Sequence, residues 1–509
     1  MSGASGPARV TARSLAELTA GFASLPADVL VSDVTLDSRA ATRGALFLAC
    51  AGRTHHGLEF AADAVRRGAR AVLYERNEAH GGPLPPLPAG TFVAAVPNLS
   101  ERAGVIADRF FGAPSQQLTV AGITGTNGKT TCAWLLAQAL TACGRPAAYL
   151  GTLGFGVPPK LTATLHTTPD AVSLQRQLAQ LRALGAECVS MEVSSHALDQ
   201  GRVSGVRFNT AAFTNLTRDH LDYHLTMEAY GAAKARLFAL PHLAHRVINV
   251  DDAFGARLAH TASTARLTVT SRAAHAAPLP RGAQFVRATR ATPDRGGLDI
   301  EVESSWGALE VPVRLVGEFN VDNVLTVLAV LLAWGIGCAQ AARALTESRP
   351  ASGRMEMFGG GGRRPLAIVD YAHSPDALEN ALRAARAHCR GRLRVVFGCG
   401  GDRDAGKRPM MGRIAAALAD EVIVTDDNPR SEDPRRIVAD ILSGIAASAP
   451  VVIEHDRALA IRTSIERSGP DDVVLIAGKG HEDYQIVGSE RRPFRDQAVV
   501  EAGLARMPA

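Results

Sequence analysis

Residues 122–131 read GITGTNGKTT and follow the apolar run LTVA. A glycine-rich turn between a buried strand and a helix N-terminus aims backbone N–H groups at phosphates. A lysine there neutralises the outer phosphates, and a threonine hydroxyl helps hold magnesium. Gly125, Thr126, Asn127, Gly128, Lys129, Thr130 and Thr131 fill that pattern, with Lys129 and Thr130 in the two chemical roles. Ile123 stands where the strict GxxxxGK[ST] spacing wants its first glycine, although Gly122 and Gly125 flank it. The context is right: LTVAGITG reads as a strand, and KTTCAWLLAQALTACG as a helix closed by Gly144.

A phosphate site needs metal and a group to receive or donate the phosphoryl. In CVSMEVSSH, Glu192 ends an apolar strand, where a carboxylate is costly to bury unless paired. NLTRDHLDYH then gathers Asp219, His220, Asp222 and His224 behind another strand. Magnesium prefers oxygen, and zinc would want more nitrogen or sulfur ligands nearby, so spacing alone leaves His220 open between metal ligand and structural histidine. Lys234, in YGAAKARLF, reads by itself as a helix-surface lysine.

A third polar constellation is TDDNPRSEDP, residues 425–434. The Asn428-Pro429 and Asp433-Pro434 steps make a stiff segment. Ser431 and Asp433 can cap the helix that begins near Pro434. Asp427 and Arg430 at fixed separation can instead meet a ligand that carries both a cation and a carboxylate.

These loops need elements to hold them. Residues 28–112 alternate short apolar runs (GALFLACAG, ARAVLYE) with the helical LEFAADAVRRGA, a small α/β unit. Strand and helix alternation then runs to about residue 348. It restarts after SRPASGR with LAIVDYA, LRVVFGCGG, EVIVTDD, VVIEHD and DVVLIAGKG as strands. The pattern predicts mostly parallel sheets covered by helices, in three domains over 1–113, 114–348 and 349–509. Ligands bind beyond the carboxyl ends of such strands, and GTNGKTT, GCGGDRD, TDDNPR and GKGHED all follow strand ends.

The 509 residues carry 46% apolar and 21% charged side chains and a net charge of +5, ordinary for a soluble multidomain protein. The charge suits an anionic substrate, while no dense Lys/Arg tract with interleaved aromatics argues for nucleic acid. Seven scattered cysteines without a CxxC pair read as free thiols of a reducing cytoplasm. No signal-like start and no apolar run of spanning length is found, so a cytoplasmic chain without membrane insertion is expected.

GTNGKTT, MEVSSH, NLTRDHLDYH, GEFNVDN, GRME, DYAHSPDAL, GCGGDRDAGKRP, DDNPR and GKGHED, in that order and across the whole chain, resemble the Mur ligases. These are the ATP-dependent amide ligases of bacterial cell-wall synthesis, and the resemblance runs to their diaminopimelate-adding branch. It implies an N-terminal uridine-nucleotide domain, a central ATPase and a C-terminal Rossmann-like domain that brings the amino acid. ATP and Mg²⁺ are then required, UDP-N-acetylmuramoyl-L-alanyl-D-glutamate is the acceptor, meso-diaminopimelate is added, and the chain is expected to be a monomer. Glu192 and His220 become expected magnesium ligands with Thr130. Lys234 matches the position the family carbamylates, as N6-carboxylysine, and Asn320 the one that contacts adenine.

For the muramoyl dipeptide the resemblance implies Leu36, Ser38, Arg53, Thr54, His55, His166, Thr167, Thr168, Ser194, Gln200 and Arg202, with His166 replacing a common Asn. For the amino acid it implies Arg403, Asp427, Asn428, Pro429, Arg430, Gly478 and Glu482. The implied reaction has two steps. ATP phosphorylates the D-glutamyl side-chain carboxylate, and the amine of diaminopimelate attacks the acyl phosphate, with Lys129, Lys234 and His220 as catalytic residues. Lysine-adding and folate-polyglutamylating relatives share the phosphate loop. A transport or switch ATPase shares it too, but leaves DDNPR and GKGHED without a purpose.

Overall fold

The computed structural model describes residues 12–52, 55–76, 84–164, 166–272, 280–294 and 296–508. The chain divides into two compact units, one up to Val269 and one made mainly of residues 284–509.

Near its start the first unit has a sheet of four parallel strands in chain order, Asp33–Thr35, Ala45–Ala49, Ala71–Tyr74 and Phe92–Ala95. Their side chains alternate. Leu46, Leu48 and Leu73 meet Leu99, Ala103, Ile106 and Phe110 of helix Leu99–Phe110 on one face. Phe47, Ala49 and Val72 meet Ala61 and Ala64 of helix Ala61–Arg66 on the other. Both faces are covered, which is why these strands read as continuous apolar runs.

A larger sheet follows. Its parallel strands lie in the spatial order Ala147–Gly151, Cys188–Glu192, Thr119–Thr124, Thr210–Phe213 and His245–Asn249. Strand Thr119–Thr124 therefore has a later strand on each side, the arrangement that opens a crevice at the carboxyl edge. The three strands end level: Glu192 pairs with Ile123 and Phe213 with Thr124. Two short antiparallel strands, Gly154–Val157 and Lys160–Thr162, extend the edge beside Ala147–Gly151.

The second unit begins with an antiparallel meander, Gln284–Asp294, Gly297–Ser304 and Gly307–Val313, where sequence reading expected only further α/β alternation. The reason is legible in residues 298–303: Leu298, Ile300 and Val302 are buried while Asp299, Glu301 and Glu303 are exposed. That is the period-two signature of a sheet with one wet face.

Beyond it lies a six-stranded sheet in the order Glu356–Gly359, Leu366–Asp370, Val473–Ala477, Leu393–Phe397, Glu421–Val424 and Val451–Ile453, parallel except for the first strand. Helices Pro375–Ala387, Lys407–Leu418 and Pro434–Leu442 cover one face, and Arg457–Glu466 and Asp496–Ala505 the other. All five strands expected in this region form. The last in sequence lies in the middle, so the loops after Ala477, Phe397 and Val424 emerge side by side. Among the described residues no helix is long and apolar enough to cross a membrane, and all seven cysteines are free.

Candidate active site

The phosphate loop spans Thr124 to Lys129, where helix Lys129–Ala142 starts. Gly125 and Gly128 have φ of +152° and +86°, and a Cβ on Gly125 would run into Thr214 Oγ1. Only glycine fits there. Asn127 N and the Asn127 carbonyl are held by Asn215 Oδ1 (2.9 Å) and Thr214 Oγ1 (2.6 Å), which pins the loop to the end of the neighbouring strand. Lys129 Nζ folds back onto the carbonyls of Gly125 (3.0 Å) and Thr126 (2.8 Å), so its ammonium sits over the loop.

Glu192 is fully buried, and its carboxylate accepts from four donors. These are Thr130 Oγ1 at 2.9 Å, Tyr149 OH at 2.5 Å, and Thr152 through N at 2.9 Å and Oγ1 at 3.2 Å. Thr152 Oγ1 continues to Thr167 Oγ1 (3.0 Å). Thr168 donates to the Glu192 carbonyl (2.9 Å) and accepts from Ser194 N (3.1 Å). Arg202 donates to the Thr168 carbonyl (3.0 Å) and to Gln200 Oε1 (2.6 Å), and Gln200 reaches Tyr223 OH (3.0 Å). Thr167, Thr168, Ser194, Gln200 and Arg202 thus form one hydrogen-bonded network with Thr130 and Glu192. Ser194 Oγ also caps helix Ser195–Asp199. His166 is exposed beside them, its carbonyl accepting from Thr164 Oγ1 at 3.2 Å.

Lys234 overturns its plain sequence reading. It is buried in helix Met227–Ala235, not on its surface. Its Nζ donates to the Gly125 carbonyl (2.8 Å) and lies 4.3 Å from the Tyr230 ring centre. Burial, with the charge of Lys129 adding, pushes its pKa down to about 6. His220 has a left-handed backbone (φ +52°), half-exposed, with its ring 6.0 Å from that of Tyr230 and 4.9 Å from that of His196. Among the described residues no group of three or more His, Cys, Asp and Glu side chains is gathered closely enough to hold a metal. Glu192 and His220 thus sit with different neighbours, Glu192 with Thr130 and His220 with His196 and Tyr230.

At the carboxyl edge of the N-terminal sheet, Leu36 is half-buried against the core and Ser38 donates to Asp63 (3.0 Å). His55 Nδ1 is exposed, 3.2 Å from Glu59. Arg53 and Thr54 lie outside the described residues. Asn320 belongs to the second unit. It is buried at the start of helix Phe319–Ala333, donating to the Val316 carbonyl (2.8 Å) and accepting from Asn323 (2.8 Å).

The second unit brings the amino-acid candidates together. Asp427, Asn428 and Pro429 are buried behind strand Glu421–Val424. Asn428 Nδ2 donates to Glu482 (2.8 Å), and a Cβ on Gly478 (φ +117°) would lie 3.5 Å from Asp427. Arg430, at φ +52°, donates to the Gly401 carbonyl (2.7 Å). A Cβ on Gly400 would lie 2.8 Å from its guanidinium and 3.6 Å from Arg403 Cγ, so both arginines flank that glycine. The backbone of Arg430 is clamped by Ile486 O (3.1 Å) and Gly488 N (2.7 Å), both from the hairpin Tyr484–Val487 and Glu490–Pro493. Holding a non-glycine residue at positive φ costs about 1 kcal/mol or more, and this clamp opposes it.

Of the two expected caps, Asp433 alone serves helix Pro434–Leu442, accepting from Arg435 N at 3.0 Å. Ser431 instead donates to Asp402 (2.7 Å), which ties this loop to GCGGDRD. Sequence reasoning passed over Lys479, fully buried and bonded to Asp427, Asn428 and Glu482. The signal was there: a lysine between two glycines, directly after a wholly apolar strand.

Comparison with known proteins covers nearly the whole chain. Three family models match in succession: Mur ligase family, catalytic domain over residues 30–110; Mur ligase middle domain over 123–331; and Mur ligase, glutamate ligase domain over 353–480. The UDP-N-acetylmuramoyl-L-alanyl-D-glutamate--2,6-diaminopimelate ligase of Xanthomonas campestris pv. campestris is 49% identical over 486 residues, 94% of this chain and 95% of its own length. The protein of the same name from Pseudomonas aeruginosa is 47% identical over 478 residues, 94% of this chain and 96% of its own. A solved structure of a ligase of that name superposes with a TM-score of 0.74 at 33% identity, covering 97% of this chain and 99% of the other. The glycine-rich loop, the hydrogen-bonded network around Glu192 and the polar loop cluster of the second unit thus stand in a chain with the three-domain α/β fold of the Mur ligases, and to that family it belongs.

Proposed function

We propose that this chain is the ADP-forming ligase that joins meso-diaminopimelate to UDP-N-acetylmuramoyl-L-alanyl-D-glutamate in peptidoglycan precursor synthesis, with domain limits near residues 113 and 348. The observation that carries the choice of amino acid is the loop after Val424. Buried Asp427, beside Asn428, offers a carboxylate for an ammonium and the clamped Arg430 a planar fork for a carboxylate, the two groups at the far end of diaminopimelate.

ATP occupies the loop from Gly125 to Thr131, and Lys129 neutralises its outer phosphates. The acceptor lies along Thr167, Thr168, Ser194, Gln200 and Arg202, its uridine end toward Leu36, Ser38, Arg53, Thr54 and His55. Carboxylate and γ-phosphate repel one another, so charge neutralisation and alignment carry the first step.

Thr130 and Glu192 offer oxygen ligands of the kind Mg²⁺ prefers: the hydroxyl and the carboxylate lie 2.9 Å apart. Thr130, Glu192, His220 and the carbamate of Lys234 would hold the metal, which would supply further positive charge to the phosphates. The depressed pKa of Lys234 supports the carbamate, because the neutral amine is what attacks CO₂.

A lysine-adding enzyme is the second reading, and it leaves Arg430 without a carboxylate to grip. The test is phosphate release by the purified chain. It should need ATP, the UDP-muramoyl dipeptide and diaminopimelate together. Release that ignores the amino acid would contradict a ligase.

A further inference from the structure

Lys479 follows strand Val473–Ala477, inside the turn Gly478 to Gly480, whose two glycines have φ of +117° and +52°. The turn directs the side chain inward, and it is fully buried. Its Nζ donates to Asp427 Oδ1 (3.3 Å), Asn428 Oδ1 (3.1 Å) and Glu482 Oε2 (3.2 Å). An ammonium has three protons, and here each has an acceptor inside the protein. Nothing is left over for a ligand, so Lys479 acts through its neighbours.

Those neighbours come from two separate loops, and Lys479 joins them. Asn428 is fixed at both ends of its amide: Oδ1 accepts from Lys479 and from Ile486 N (2.9 Å), and Nδ2 donates to Glu482 (2.8 Å). Without a cation, Asp427 and Glu482 would be two carboxylates in one buried cluster, which is costly. With it, the cluster keeps one net negative charge, matched to one ammonium.

We infer that Lys479 is the positioning residue of the amino-acid pocket: it locks Asp427, Asn428 and Glu482 into one arrangement whose single net negative charge receives one ligand ammonium beside the carboxylate grip of Arg430. The inference rests on the proposed diaminopimelate reading. It adds that selectivity comes from the charge balance set by a residue that never touches the ligand, as well as from Arg430.

The test uses the full chain with Lys479→Met and with Lys479→Gln, which keeps hydrogen bonding but loses the charge. Both should raise the KM for diaminopimelate about 30-fold or more while the KM values for ATP and the muramoyl dipeptide stay within about twofold. Both should also lower the ratio of kcat/KM for diaminopimelate over L-lysine, because a pocket with one more negative charge favours the ligand with one more positive charge. A purely structural loss would affect both amino acids alike.

An unchanged ratio, a Lys479→Gln variant with wild-type KM, a parallel rise of all three KM values, or loss of folding in both variants would overturn the inference. Wild-type protein that fails to ligate diaminopimelate would instead overturn the reading beneath it.

Discussion

Lys234 Nζ is hydrogen-bonded at 2.8 Å to the carbonyl of Gly125, which ties a buried amine to the first glycine of the phosphate-loop turn. Its low pKa, about 6, comes from burial first and from Lys129 second. Carbamylation joins the amine nitrogen to CO₂ and releases a proton. On Lys234 it should therefore proceed above pH 6 and be lost as pH falls through that value. With ¹³C-bicarbonate, a carbamate carbon signal should be present at pH 8, fade towards pH 5, and be absent from Lys234→Met at every pH. A signal in the Met variant equal to that of the wild type would place the modification elsewhere.

Arg457 and Asp496 form a fully buried ion pair, bonded through Nε (2.8 Å) and a terminal nitrogen (2.7 Å), between the two helices on one face of the second unit's sheet. Arg457→Met strands a buried carboxylate and should cost about 3–5 kcal/mol in urea denaturation. Replacing Asp496 by Leu in the same chain should recover most of that loss, since an apolar pair leaves no charge unpaired.

Asp108, in helix Leu99–Phe110, has a buried Oδ1 without a hydrogen-bond partner. Burial raises its pKa to about 6 from 3.8. The folded protein therefore favours the protonated form. The contribution to stability is fully present below pH 3.8 and lost as pH rises through about 6. Asp108→Asn should raise Tm at pH 8 and give no advantage at pH 4, as followed by thermal melts across that range. An advantage independent of pH would remove ionisation as its cause.

Much of this was legible before any coordinates. The phosphate loop and the strands of the parallel sheets announce themselves in apolar runs that end in polar or glycine-rich turns, because parallel strands covered on both faces cannot be polar on either. Glu192 was visible as an acid at the end of such a run. Lys234 was not, because helical spacing says nothing about which long polar side chain a tertiary contact will bury. Lys479 was passed over although it stood between two glycines, because Asp427 and Asn428, which bury it, are reached only through a sheet that places its last strand in the middle. Ser431 misled because a serine before a helix is a good cap until another loop, here Asp402, offers it a partner.

The central claim is that the Asp427 to Arg430 loop selects diaminopimelate. Initial rates of ligation with meso-diaminopimelate and L-lysine, for the wild type and Arg430→Ala, test it most directly. The wild type should strongly prefer diaminopimelate. Arg430→Ala should raise its KM for diaminopimelate about 10- to 100-fold, with the KM for ATP within about twofold. Equal use of lysine by the wild type, or equal shifts for both substrates in the variant, would contradict it.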